Sequence, residues 1–270
     1  MNKYQILMTD TDGVALGVSS KDGENNKQQI IDKVKELETK WQKELNFKDF
    51  ELDIEEFEFQ LHVGHKNYII GKLTSQKDIK TKGVLFKAQN KSKLGLKTLK
   101  SVVFDSLKDI GDWQLEDKEL ERAKLRNNII NYTNEAIEKI DIKKVDIKDL
   151  TMNEAVNPVS SYKKDDSIQA VRTKAIERLT NIKITHSSKF LMLVCIEALP
   201  GIDKISPKKK KALHYMYPLD YVTNDMIDFD WYKNNVRDYI FSAFGINKKV
   251  TSKAKSKKVI DKNQKSIFDY

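Results

Sequence analysis

The stretch that decides the fold is residues 4–18, which read YQILMTDTDGVALGV. Residues 4–8 and 14–18 are mostly apolar, and residues 9–13 (TDTDG) between them have the composition of a turn. Two apolar runs that flank a short segment containing Asp and Gly predict a β-hairpin. The tip of this hairpin carries two carboxylates.

Asp10 and Asp12 are separated by Thr11 alone at this tip. Carboxylates held so close together repel each other unless cations neutralise them. Mg²⁺ is the hard cation that suits such oxygen ligands, and paired Mg²⁺ ions stabilise attacking and leaving oxygens in phosphoryl transfer. Acidic turns are also common on protein surfaces, so the turn alone leaves a metal site and a solvated loop both open.

The rest of the first 90 residues predicts an α+β sheet with a helix packed on one face. Apolar residues recur at helical spacing through 27–45, from Ile30 to Leu45, and predict an amphipathic helix. Alternation from Leu52 to Val63, with a slip at 55–56, predicts antiparallel strands. Residues 68–70 and 83–86 predict two further strands.

Residues 91–245 predict a second, mainly helical domain. Helical periodicity covers residues 94–107, 115–140 and 168–179, and a final helix runs from 231 to 244. A strand at 190–198 is closed by a Pro-Gly pair. The tail, 246–270, holds eight Lys and two Asp among few apolar residues, which is typical of a basic flexible segment.

Charge is divided unevenly along the chain. Residues 1–60 hold 14 acidic and 8 basic side chains, a net charge of −6. Since the whole chain has a net charge of +9, residues 61–270 carry +15. An acidic head on a basic body fits a protein that holds a polyanion and brings metal ions to it. Free use of Lys in an AT-rich genome is the alternative explanation for any single Lys run.

Other classes of protein are disfavoured. Cys195 lies in an apolar run and is the sole cysteine, which predicts a buried strand residue and a reducing, cytoplasmic setting. No apolar stretch is long enough to span a bilayer, so no membrane partner is expected. The four His have no Cys partners and the chain has no Gly-rich phosphate loop, which argues against zinc and ATP sites.

The hairpin and the segments after it resemble the C-terminal part of family B DNA polymerases. Residues 9–13 resemble motif C of that family, which usually reads Tyr-x-Asp-Thr-Asp-(Ser or Gly); Met8 stands where the Tyr would fall. Further similar segments follow in the family's order: 52–57 (LDIEEF), the acidic-aromatic strand after the palm helix; 65–68 (HKNY), the Lys-Lys-Arg-Tyr segment; 81–84 (TKGV), the Thr-Arg-Gly strand; and 230–245, the last thumb helix, which ends in Phe-Gly. The resemblance covers nearly the whole chain.

The resemblance implies a palm portion over residues 1–90, a thumb over 91–245 and a tail over 246–270. It implies that Asp12 is the principal Mg²⁺ ligand and Asp10 an assisting carboxylate in nucleotidyl transfer from a dNTP. Asp53 and Glu55 are further metal candidates, with a role as surface carboxylates as the alternative.

The same resemblance implies that Lys66 and Tyr68 contact the primer strand of a primer-template DNA. The strand that contains Lys82 and Gly83 is expected to take part in the same contact. His65 and Asn67 differ from the basic residues that the family has beside Lys66.

Two family segments have no counterpart in order: an earlier motif with another metal-binding Asp, and an earlier helix whose Lys binds the phosphates of the incoming nucleotide. Met1 stands only a strand before the motif C segment. We therefore expect a polymerase split within the palm, with a separate N-terminal chain that supplies the fingers, the exonuclease and the other Asp.

The last residues, 264–270 (QKSIFDY), resemble a sliding-clamp peptide. A polar anchor followed by apolar ones lets a flexible tail bind a clamp pocket. Gln264, Ile267 and Phe268 suit a bacterial-type clamp, whereas Gln264, Ile267 and Tyr270 suit an archaeal or eukaryotic ring.

Three functions stay open at this stage. The first is a subunit of a DNA polymerase with an incomplete active site. The second is a noncatalytic DNA-binding and clamp-tethering factor derived from a polymerase, which would be indifferent to loss of Asp12. The third is a generic basic scaffold protein without metal dependence or preference for primer-template junctions.

Overall fold

The computed structural model describes residues 4–10, 13–18, 23–87, 92–111, 118–141, 144–164, 167–202 and 215–246. By their internal contacts, residues form two compact units, Met1–Glu56 (unit 1) and Phe57–Tyr270 (unit 2). The predicted domain boundaries at residues 90 and 245 stay a prediction. Within the described ranges, no helix has the length and apolar character that crossing a membrane requires.

Unit 1 begins with the predicted hairpin. Strands β1 (Tyr4–Asp10) and β2 (Gly13–Val18) pair antiparallel, from Tyr4 opposite Val18 to Asp10 opposite Gly13. The register shifts between Ile6 and Met8, which marks a bulge. The hairpin prediction is confirmed, and the paired residues Asp10 and Gly13 are joined by two residues.

The helix predicted over 27–45 is confirmed as α1 (Gly23–Glu44). The segment 50–56 runs back along it: Gln42 Nε2 donates to the Phe50 carbonyl oxygen at 2.8 Å, and Leu52 N donates to Glu38 Oε2 at 3.1 Å. Further along, Lys27 Nζ lies 3.0 Å from Glu56 Oε2. Residues 52–57 therefore follow the helix in the direction opposite to its own and form no strand, so the strand predicted to start at Leu52 is wrong in its first half.

Unit 2 begins with a three-stranded antiparallel sheet. Its strands are β3 (Phe59–Gly64), β4 (Asn67–Gly71) and β5 (Lys80–Lys82), with β4 in the centre. Residues 83–86 were predicted as a strand, and this is wrong: Gly83 has a φ of +112°, and the next residues form the short helix α2 (Val84–Lys87). The positive φ turns the chain out of the sheet where alternation alone would extend it.

Three helices pack with this sheet around the first core. They are α3 (Lys93–Ile110), α4 (Lys118–Lys139) and α7 (Phe229–Ala243), and each contacts the other two. The fully buried members of this core include Ile69, Ile79, Leu99, Ile129, Val236, Ile240 and Phe244. Helix α3 is capped at its start by Ser92 Oγ, which accepts from Gly95 N, and stops at Gly111, whose φ is +66°.

A second antiparallel sheet and a second core follow. Strands β6 (Met152–Val156), β7 (Ser188–Val194) and β8 (Met216–Pro218) pair with β7 in the centre, and α5 (Ile147–Leu150) and α6 (Ile168–Thr180) complete this part. Cys195 is buried, as predicted, and forms an isolated bridge with Ile227 just beyond the end of β7. The chain is thus α+β, as the sequence predicts.

Candidate nucleic-acid interface

The turn between β3 and β4 is built by backbone conformations that few residues adopt. Gly64 has a φ of +142° and Lys66 a left-handed φ of +54°. Asn67 stabilises this turn, since its Nδ2 donates to the His65 carbonyl oxygen at 2.8 Å. The result is a tight connection with His65 and Lys66 exposed at its tip.

The same turn is held against the junction of β5 and α2. Asn67 Oδ1 accepts from Leu85 N at 2.8 Å, so both the oxygen and the nitrogen of the Asn67 amide form hydrogen bonds. A Cβ on Gly83 would lie 2.3 Å from the Lys66 carbonyl oxygen and 2.4 Å from Asn67 Oδ1. Only glycine leaves room for so close an approach, which gives Gly83 a packing role in addition to its predicted DNA-binding role.

A row of side chains crosses one face of the sheet. Tyr68 is paired with His62 on one side and with Lys82 on the other, and residues directly opposite each other share a face. The His62 and Tyr68 rings lie with their centroids 6.0 Å apart. Lys82 and His62 are exposed and Tyr68 is half-buried, so the row presents an aromatic side chain beside a cation.

A second row lies beside the first on the same face. Ile70 is paired with Gln60 and Lys80, and Lys80 Nζ lies 5.5 Å from the centroid of the Phe57 ring. None of the six side chains in the two rows is acidic. The face therefore offers cationic and aromatic groups of the kind that bind a nucleic-acid backbone.

The opposite face of the sheet anchors these rows. Ile69 has no exposed surface and packs in the first core with Val63 and Ile79. Since Ile69 lies between Tyr68 and Ile70 on the central strand, the backbone that carries both rows is fixed by the core.

The acidic turn of unit 1 is described only in part. Asp10 ends β1 opposite Gly13, and the structure describes its backbone; Thr11 and Asp12 lie outside the described residues. Asp53 and Glu55 are exposed on the segment that follows α1. Within the described part of the chain, no three His, Cys, Asp or Glu side chains form a group that could hold a metal ion. The magnesium site stays a prediction.

The structure brings together four of the predicted DNA-binding residues, and it adds one that sequence reasoning missed. Lys66, Tyr68, Lys82 and Gly83 meet around the β3–β4 turn, and Asn67 holds this turn in place. A Gly and an Asn close together between two apolar runs are a turn signal that could have pointed to this segment. The clamp-peptide residues Gln264, Ile267, Phe268 and Tyr270 lie outside the described residues.

Comparison with protein-family models and with curated proteins gives no match. Among solved structures, this chain is similar to the family B DNA polymerase from the hyperthermophilic archaeon Pyrobaculum calidifontis, with a TM-score of 0.51 and 15% sequence identity. This chain has a polymerase-like fold. The similarity covers 90% of this chain and 26% of that polymerase, so the chain spans about a quarter of its length. The antiparallel sheets with packed helices are consistent with a palm and thumb portion of such a polymerase.

Proposed function

We propose that this chain is the C-terminal portion of a family B DNA-directed DNA polymerase and that a separate N-terminal chain completes its active site. The observation that carries the proposal is the polymerase-like fold over 90% of the chain, with the basic and aromatic face on its sheet. In this proposal the partner chain supplies the fingers, the exonuclease and the remaining palm.

The sheet face of unit 2 grips the primer-template. Lys66 and Lys82 are exposed ammonium groups that attract phosphates without reading the sequence, which template-directed synthesis requires. Tyr68 offers a ring face for contact with a sugar or base. The buried Ile69, next to Tyr68, anchors the central strand of this sheet in the first core.

The acidic turn of unit 1 supplies carboxylates for metal binding. Oxygen ligands from Asp10 and Asp12 suit Mg²⁺, and the paired ends of β1 and β2 leave only two residues to connect the strands. When bound, two Mg²⁺ ions neutralise charge on the attacking and leaving oxygens. In the reaction, the primer 3′ hydroxyl loses its proton to solvent, its oxygen bonds to the α-phosphorus of the dNTP, and the bond from that phosphorus to the pyrophosphate leaving group breaks. Asp53 and Glu55 are further candidates for holding metal.

The sliding clamp is a second proposed partner. Gln264, Ile267 and either Phe268 or Tyr270 are the anchors that the tail would place in a clamp pocket. This contact would tether the polymerase to DNA and is separate from the chemistry.

Primer extension tests the proposal directly. The chain is assayed with Mg²⁺ and dNTPs, alone and mixed with the polypeptide from the same genome that carries the polymerase exonuclease, fingers and first palm segment. We expect synthesis only in the mixture, and we expect Asp12→Ala to abolish it. Asp220→Ala, which removes an exposed carboxylate from unit 2, is the matched control and should leave synthesis unchanged. No synthesis in any mixture, with DNA binding intact, would leave the noncatalytic clamp-tethering factor as the better account.

Binding of a fluorescent primer-template tests the DNA-gripping face separately. Lys82→Ala should weaken binding and reduce the slope of log K against log salt by about 0.9, as the loss of one phosphate contact requires. Lys144→Ala removes an exposed cation from elsewhere in unit 2 and should leave the slope unchanged. Equal effects of the two substitutions would mean that the face is not the DNA site.

A further inference from the structure

Unit 1 lacks a hydrophobic core in the part that the structure describes. Its described side chains are those of residues 14–17 and 26–56, and the only one that is buried is Asn26, which is polar. The two hydrophobic clusters found among the described residues consist of unit 2 residues. A single helix or a two-stranded hairpin is marginally stable by itself, because such elements gain most of their stability from burial of an apolar face.

The apolar surface of unit 1 that remains partly exposed is a stripe along α1. Its members recur at intervals of three and four residues and so lie on one face: Ile30, Val34, Leu37, Trp41 and Leu45, the last just beyond the end of the helix. Ile30, Val34 and Leu37 are only partly buried, whereas 39% of Trp41 and 62% of Leu45 is exposed. Exposure therefore grows toward the C-terminal end of the stripe.

The segment after α1 borders this stripe without covering it. Phe50 meets the Trp41 ring edge-on at 5.6 Å between centroids, and this contact lies beside the hydrogen bond from Gln42. Just after the helix, 53% of Phe47 is exposed, which enlarges the apolar surface at the same end. Ile54, which is 49% exposed, lies farther back on the returning segment, between the residues that bond to Glu38 and to Lys27. Several large apolar side chains exposed along one helix and the segment that borders it are typical of a surface that binds another protein.

We propose that the α1 stripe, with Phe47 and Ile54, is the docking surface for the polymerase chain that completes the palm. This inference rests on the proposed function. Two observations favour the palm-completing polymerase chain as the protein that covers the stripe. The present chain spans 26% of the similar polymerase, and α1 contacts β2 of the hairpin that bears Asp10. A partner that covers the stripe thereby orders the unit that carries the proposed metal ligands.

Hydrogen exchange of the full chain tests this surface, alone and with the recombinant partner of the primer-extension assay. We expect fast exchange of α1 amides in the chain alone, slow exchange of α3 amides in both states, and protection of α1 only with the partner. Leu45→Glu should weaken partner binding at least tenfold, while Ile182→Glu, a change of an exposed apolar residue of unit 2, should alter it less than twofold. The urea midpoint of unit 2 should be the same in both variants.

Four results would overturn the inference. The first is α1 protection in the chain alone at the level of α3, which would mean that the stripe is covered within the chain. The second is protection that grows with the concentration of this chain and disappears in Leu45→Glu, which would mean that a second copy covers it. The third is partner binding that Leu45→Glu does not weaken, and the fourth is no partner binding at all.

Failure of the surface and failure of the proposed function give different results. Docking through α1 without any synthesis would leave the surface intact and refute catalysis. Synthesis that Asp12→Ala abolishes but Leu45→Glu leaves unchanged would refute the surface and leave catalysis intact.

Discussion

Gly83→Ala is the substitution that tests most sharply how the β3–β4 turn is held. The new Cβ would lie 2.3 Å from the Lys66 carbonyl oxygen and 2.4 Å from Asn67 Oδ1. Real Cβ contacts do not fall below 3.0 Å, so the turn and the β5–α2 junction must separate by about 0.7 Å. The neighbours are a backbone carbonyl and a side chain that makes two hydrogen bonds. Neither can move away from the new Cβ without a loss of favourable contacts.

The cost has two parts. An alanine at a φ of +112° is strained by about 1–3 kcal/mol. Separation of the turn from α2 also breaks the 2.8 Å hydrogen bond from Leu85 N to Asn67 Oδ1, which adds about 0.5–1.5 kcal/mol. We therefore expect a loss of about 1.5–4.5 kcal/mol in the free energy of unfolding of unit 2.

Urea unfolding followed by circular dichroism measures this loss, and Gly111→Ala is the matched control. Gly111 also has a positive φ, +66°, but a Cβ there would have nothing within 4 Å, so its alanine variant is strained without a clash. Gly83→Ala should cost more than Gly111→Ala by about 1 kcal/mol or more. It should also weaken primer-template binding, because Lys66 moves with the turn. Equal destabilisation by the two variants would refute the close-approach argument.

Two further predictions concern the second core. Tyr232→Phe should destabilise the protein by about 1–3 kcal/mol in urea unfolding, because the buried Val194 N–H donates to the Tyr232 hydroxyl oxygen at 3.0 Å and would lose its acceptor; Tyr221→Phe, on an exposed ring, should change it by less than about 0.5 kcal/mol. Burial raises the pKa of the Cys195 thiol from 9.0 to about 12. The stability that the un-ionised thiol contributes is therefore present below pH 9 and should fall as the pH rises from 9 toward 12. Urea midpoints measured between pH 8 and pH 11 should decline, and the decline should be shallower in Cys195→Ala. A midpoint independent of pH over this range would contradict the burial of an un-ionised thiol.

Elements with a strong apolar period could be predicted from the sequence. Two apolar runs on either side of residues 9–13 predict the hairpin, and apolar residues at helical spacing predict α1, α3 and α7. The prediction failed at 83–86, where alternation continues but the backbone of Gly83 has a positive φ. It also missed β6 and β8, which are short and contain few apolar alternations; β8 even ends in Pro218.

The candidate site was predictable as a set of residues but not as a surface. Resemblance pointed to Lys66, Tyr68 and Lys82, which are near one another along the chain. Register decides that Tyr68 stands between His62 and Lys82 on one face, and register depends on strand pairing that a single sequence does not encode locally. Asn67 was missed because its role lies in two hydrogen bonds to backbone groups. A comparison of charged residues with the family does not detect such a role.

The two units differ in what they need before they can act. Tyr68 lies on β4 next to the fully buried Ile69, and Lys82 lies opposite Tyr68 on the neighbouring strand β5, so the proposed DNA grip is complete within unit 2. Asp10 belongs to a unit whose described part contains no buried apolar side chain. If both proposals hold, the free chain binds primer-template without metal, and metal-dependent chemistry begins only when the partner chain covers α1. Catalysis is then restricted to the assembled polymerase because the partner chain covers the partly exposed α1 stripe, with no need for a dedicated inhibitory contact.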